Sequence, residues 1–141
     1  LDNVVSLFGI KNMVKSMIAN GEKSIVTNNC IDLDEITISR VIDGYLKQDE
    51  VCVRAVNRSA RYLACAINNL AELLDLEMVI IGGAILSLGD GYLNEVRSFI
   101  RDKLKKSSIE INKSKLEHLA TIYGAIGESI EEAITIKLES E

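Results

Sequence analysis

Apolar residues recur every three or four positions through most of the chain, the period of a helix with one buried face. Ile10, Met13, Val14, Met17 and Ile18 share such a face and predict a first helix over 4–20. Asn20 and Gly21 supply a left-handed stop. Ser24, Ile25 and Val26 read as a very short strand or a loop. Asp32 and Glu35 have the spacing of a capping box, with Ile31 and Ile36 at the two positions of a hydrophobic staple. They predict a second helix running to about residue 47. The longest pattern covers 50–74, where Val56, Ala60, Leu63, Ile67, Leu70 and Leu74 step by three and four. A flanking row of Cys52, Ala55, Ser59, Tyr62 and Ala66 is mostly small, so this helix should pack on more than one side. Asp49 stands in its capping position.

After residue 76 the period changes. Met78, Val79, Ile80 and Ile81 form a short apolar run ended by Gly82 and Gly83, the pattern of a buried strand. A helix over about 91–105 follows, with Leu93, Val96, Ile100 and Leu104 inward. Ile109 and Ile111 alternate with polar residues in a half-exposed strand over 108–112. A last helix over about 119–137 turns Ile122, Ile126, Ile130, Ala133 and Ile134 inward. Gly124 and Gly127 lie on it, each costing about 1 kcal/mol against alanine, which a close neighbour or a ligand would offset. Strand, helix, strand and helix in succession indicate an α/β layer beneath an otherwise helical chain.

Composition narrows this picture. With 141 residues the chain fits one domain. Hydrophobic residues make up 48% and charged residues 26%, which excludes a disordered chain. Aromatics are only 4%, so Ile, Leu, Val and Ala must build the core, and the absence of proline favours long helices. No apolar run reaches the roughly 18 residues of a membrane span. Residues 1–3 carry no secretory signal, and the expected location is the cytoplasm. A net charge of -5 argues against broad nucleic-acid binding by this segment. Arg101, Lys103, Lys105 and Lys106 read as cations at a helix carboxyl end. Cys30, Cys52 and Cys65 have no paired spacing, and Cys52 and Cys65 are expected to be buried free thiols. With no C-x-x-C and a single His118, no metal site is expected. The first residue is Leu1, so the chain is expected to begin inside a longer protein or after processing.

Candidate chemistry is sparse. Gly82 and Gly83 at the end of a buried strand either form a tight corner or admit a backbone or flat ligand without Cβ obstruction. In α/β folds that strand end is where nucleotides and sugars bind. Asp32 with Asp34, and Glu131 with Glu132, read as caps and solvated helix faces before they read as acid–base pairs. One histidine does not define a catalytic triad, and no phosphate-loop motif occurs.

The stretch from Tyr62 to Leu70, followed by Leu74 to Gly83, resembles the carboxyl-terminal signature of the ROK family of repressors, open reading frames and sugar kinases. There a long helix passes through an asparagine-proline-glutamate turn into an isoleucine-glycine-glycine strand end. Asp75, Leu76 and Glu77 stand in that turn, with Leu76 in place of proline. Tyr123, Gly124 and Ala125 are similar to the closing glycine-alanine helix. Leu1, Asp2 and Ser6 resemble the end of the family's cysteine-x-glutamate motif, where Asp2 takes the place of a sugar-contacting glutamate one methylene longer.

The resemblance implies a helix-rich α/β fold, with residues 1–141 the later part of an actin-like, RNase H-like domain. It implies that Gly82, Gly83 and Ala84 match the motif beside the adenosine of ATP in kinases, and that Asp2 faces sugar. The catalytic base, phosphate loops and any zinc ligands are expected upstream, so no cofactor is expected in this segment and ATP only in a full kinase. The favoured function is the effector-binding and dimerisation part of a sugar-responsive repressor. DNA would be read only through a separate amino-terminal domain. The alternative is the same part of an ATP-dependent sugar kinase, and a stand-alone interaction protein is a third.

Overall fold

The structure, a computed structural model, describes residues 2–28, 30–103, 109–115 and 125–130. The first predicted helix is two. Ser6 is extended and its hydroxyl accepts the Gly9 N–H at 3.0 Å, so it caps a new helix rather than continuing the old one. Helix α1 spans Asp2–Val5 and α2 spans Leu7–Ala19. A Cβ on Gly9 would stand 2.5 Å from the Asn3 carbonyl oxygen, so glycine is what allows α1 to lie this close to α2. Ile10 and Val14 are buried as the pattern required, and α2 stops at Asn20 before Gly21, whose φ is +96°.

The next segment departs further from expectation. Ile25–Thr27 is a short 3-10 turn, not a strand. Asp32 caps only a second such turn, Leu33–Glu35. Helix α3 (Ile38–Leu46) starts later, where the Thr37 hydroxyl accepts the Arg40 N–H at 3.3 Å. No staple forms, because Ile36 enters the core while Ile31 is 98% exposed. Glu35 accepts the Ile31 N–H instead.

Helix α4 spans Glu50–Leu74, as its periodicity predicts. It packs against α1, α2, α3 and α5, and buries Val51, Cys52, Ala55, Val56, Ala60, Ala64 and Ile67. Small residues at 55, 60 and 64 allow several helices to approach one spine. Cys65 falls between the buried rows, beside exposed Arg61 and Tyr62, and is itself exposed, contrary to expectation. Asp75 ends α4 in a left-handed conformation (φ 52°, ψ 47°). The Leu76 N–H then donates to the Ala71 carbonyl at 3.2 Å, a bond that a proline at 76 could not make.

Strand β1 (Met78–Ile81) and strand β2 (Glu110–Lys113) pair in parallel, Met78 opposite Glu110 and Ile81 opposite Lys113. Helix α5 (Asp90–Lys103) connects them, as parallel strands require. Leu93, Val96 and Ile100 face the core with Ile81 and Ile111, while Leu104 lies outside the described residues. β1 is buried on one face only. Met78 and Ile80 on the other face are 49% and 64% exposed. Of the last predicted helix, residues 125–130 are described and helical. Ile126 and Ile130 are exposed there, and nothing stands within 4 Å of a Cβ built on Gly127. The neighbour expected to offset Gly127 is thus not found among the described residues. Gly124, Ile122, Ala133 and Ile134 lie outside them.

Candidate functional site at the strand ends

The carboxyl ends of β1 and β2 meet at Gly82 and Ser114. The Ser114 N–H donates to the Ile81 carbonyl at 2.7 Å, which extends the ladder one residue past β2. A Cβ on Gly82 would touch the Ser114 Cβ at 3.4 Å. Gly83 then turns with φ +87° and has nothing within 4 Å of the Cβ position, so its backbone is open from that side. Ala84 begins a 3-10 turn, Ala84–Leu88, that Gly89 ends at φ +78°. The three residues singled out from sequence therefore form one exposed corner, with Gly83 in a conformation that β-branched residues avoid.

Beside this corner lies a cleft of about 880 Å³ between α5 and β2. Asn94, Arg97, Asn112, Lys113, Ser114 and Asp90 contribute its polar lining, and Ile80 and Leu93 its apolar part. Lys113 Nζ and Asp90 Oδ1 stand 3.9 Å apart. Arg97 donates to the Ile111 carbonyl from Nε at 3.0 Å and Nη2 at 2.7 Å, and its Nη1 donates to Asn94 Oδ1 at 3.0 Å. The guanidinium is thus fixed, and its charge sits at the edge of β2. Sequence reading missed Arg97, Ser114 and Asn94. Only apolar positions were followed along α5, and a polar residue one turn from Leu93 carries no periodic signal.

Other sequence candidates lie elsewhere. Asp2 is at the start of α1. Asp34 pairs with Lys15 at 2.6 Å, whose hydrogen bond and charge hold its carboxyl below the usual range. Asp49 is a structural hub: it accepts from the Ser24 hydroxyl and the N–H groups of Ile25 and Cys52, all within 3.0 Å. Burial raises its pKa, but these donors outweigh burial and hold it below the ordinary value. Burial and the Asp49 charge push the Cys52 thiol up to about 12, so it is inert. Arg40 Nη1 lies against the Val26 and Asn28 carbonyls and the Cys30 sulfur at 3.2 Å. His118, Glu131, Glu132, Lys105 and Lys106 lie outside the described residues. Among the described residues, no group of three His, Cys, Asp or Glu side chains could hold a metal, and no helix is long and apolar enough to cross a membrane.

The ROK family model matches residues 1–128. The chain belongs to the ROK family. The xylose repressor of Caldicellulosiruptor bescii is 27% identical over 140 residues, covering 96% of this chain and 34% of the repressor. The N-acetylmannosamine kinase of Haemophilus influenzae is 33% identical over 85 residues, covering 60% of this chain and 28% of the kinase. Among solved structures, the ROK glucokinase of Streptomyces griseus, in complex with glucose and AMPPNP, superposes with a TM-score of 0.72 at 18% identity. That match covers 83% of this chain and 40% of the glucokinase. A ROK transcriptional regulator, a homologue of the E. coli MLC protein, gives 0.63 at 22%, covering 79% of this chain and 28% of the regulator. The fold is therefore the helix-rich α/β, actin-like fold of ROK proteins. The chain spans about a third of the length of the curated ROK relatives.

Proposed function

We propose that this chain is the carboxyl-terminal effector-binding and dimerisation portion of a sugar-responsive transcriptional regulator, and that it does not catalyse by itself. The observation that carries this reading is the extent of the likeness. The sequence match to a xylose repressor runs through 96% of the chain, whereas the sequence match to N-acetylmannosamine kinase covers 60%. In this reading Asp2 faces the sugar side of the complete protein. A zinc site, where present, and the DNA-reading helices belong to other parts of the regulator.

The 33% identity to N-acetylmannosamine kinase supports a second reading, the corresponding portion of an ATP-dependent sugar kinase. Gly82, Gly83 and Ala84 would then lie beside the adenosine. The open space over Gly83 fits a flat group approaching the backbone. In that reading the general base and phosphate-binding groups that phosphoryl transfer needs would come from other parts of the kinase.

Reading the encoding gene upstream of Leu1 separates the two. A helix-turn-helix segment supports the regulator. An aspartate base with glycine-rich phosphate loops overturns it in favour of the kinase. A titration of the chain with a non-hydrolysable ATP analogue gives a biochemical check. The regulator reading expects no change in melting temperature, and a saturable shift abolished by Gly83→Val contradicts it.

A further inference from the structure

Asn20 and Gly21, where α2 ends, are the one Asn-Gly pair in the sequence, and both are exposed. The carboxamide carbon of an asparagine closes a five-membered ring when the backbone nitrogen of the next residue bonds to it. A side chain on that next residue crowds the closure, and glycine has none. The Asn20 side chain makes no hydrogen bond among the described residues. Nothing stands within 4 Å of a Cβ position on Gly21, so water reaches this peptide.

The other asparagines compared with it are held. Asn94 accepts from Arg97, Asn112 donates to Glu110 and Asn68 donates to Glu72. Asn57 and Asn69 lie inside α4. Each of the five is followed by a residue with a side chain. At Asn20 one bond restrains the reaction. The Gly21 N–H donates to the Ile18 carbonyl at 2.9 Å, and Asn20 still lies near the helix (φ -83°, ψ 9°). Ring closure needs that peptide to swing away from Ile18. The bond belongs to the last turn of α2, beyond the buried Ile10 and Val14, and a helix end opens far more often than a whole fold. The fold therefore slows the reaction without blocking it.

We propose that Asn20 is a site of spontaneous modification, where the chain deamidates through a succinimide with Gly21, and that the product loosens the end of α2 from α4. The Gly21 nitrogen gives its proton to a solvent base and attacks Asn20 Cγ. The N–Cγ bond forms, the Cγ–Nδ2 bond breaks, and Nδ2 leaves as ammonia with a proton from water. A water molecule then opens the ring at either carbonyl, leaving aspartate or isoaspartate, with no change of oxidation state. Both products put a negative charge at the carboxyl end of a helix whose last turn holds no basic residue. Isoaspartate also adds a methylene to the main chain, which displaces the Gly21 and Glu22 N–H groups from the Ile18 and Met17 carbonyls. The residues just beyond form the tether to α4. Glu22 pairs with Arg54, and the Ser24 hydroxyl donates to Asp49 at the α4 cap.

Peptide mapping by mass spectrometry tests this on the full chain, incubated at physiological temperature from neutral to mildly alkaline pH. Asn20 is expected to be the first asparagine to show the mass of an acid in place of an amide, at a rate that rises with pH. Gly21→Ala should cut that rate by more than about tenfold, in the chain and in a peptide of residues 15–26 alike. The native peptide should convert faster than the chain, and urea should bring the chain to the rate of the peptide, since both lack the bond to Ile18. Hydrogen exchange at residues 18–25 should rise in the converted chain. Asn20→Asp should reproduce part of that rise, and Asn20→Gln should not. Conversion of another asparagine before Asn20 overturns the proposal. So does a folded chain with Asn20 intact over many lifetimes of the peptide, or unchanged exchange at 18–25 after conversion.

Discussion

Asp49 Oδ1 accepts the Ser24 hydroxyl at 2.9 Å across 25 positions of sequence, while the same oxygen caps α4 through the Cys52 N–H at 3.0 Å. One carboxylate thus fixes the start of the longest helix and tethers the turn that precedes α3. Asp49→Ala should cost about 2 kcal/mol or more, the upper range for a lost cap, because a second attachment goes with it. Asp49→Asn should cost less. Urea denaturation of the three proteins at neutral pH checks the order.

The same residue gives a pH dependence. Its folded pKa lies below the ordinary carboxylate value of 3.8. A depressed folded pKa means that the charged form stabilises the fold. That contribution is complete above the unfolded pKa and is lost as pH falls from about 4 through the lower folded value. The native chain should lose stability over this range more steeply than Asp49→Ala. Equal slopes from denaturant midpoints measured down to pH 3 would remove Asp49 from the acid response.

Arg97 holds the Ile111 carbonyl with two N–H groups. Arg97→Ala should lower stability by about 1–3 kcal/mol through these charge-assisted bonds. It should also uncover the β2 edge, so that light scattering shows larger assemblies than the native chain gives at the same concentration.

Gly9 marks the closest approach of α1 to α2. Gly9→Ala should displace α1 at a cost of about 1–3 kcal/mol, an overpacking penalty against backbone that cannot yield. Hydrogen exchange at residues 7–14, one turn of which this contact covers, should rise. Unchanged exchange and unchanged stability would mean that α1 does not pack there.

The parts of the fold that were legible from sequence are those in which one signal is long. The 25 residues of α4 repeat their period often enough to set both ends, and Asp49 confirms the start. Met78–Ile81 announced itself by β-branching and the glycines after it. Short, competing signals misled. Ser6 and Thr37 are caps as good as Asp32, and nothing local says which of several caps starts a helix. The exposed Ile31 and Cys65 show the same limit, since burial there is decided by neighbours distant in sequence. The glycine corner at the candidate site was visible, but Arg97 and Ser114 were not, because they act through backbone groups that only the folded sheet brings near.

The three cysteines give an independent check on packing. Cys52 is buried, with its thiol near 12, and should not react with a disulfide reagent under native conditions. Cys65 is exposed and should react at once. Rapid reaction of Cys52 in the folded chain would contradict the placement of α4 against the 24–27 turn.

A regulatory portion of a ROK protein, as proposed for this chain, has no catalysis of its own. The most direct measurement is phosphoryl transfer from ATP, followed by coupled ADP release, with xylose, glucose and N-acetylmannosamine each offered at saturating concentration. No sugar-dependent ADP release above a sample without protein is expected. Sugar-dependent turnover that scales with the concentration of this chain, and is lost in Gly83→Val, would contradict it.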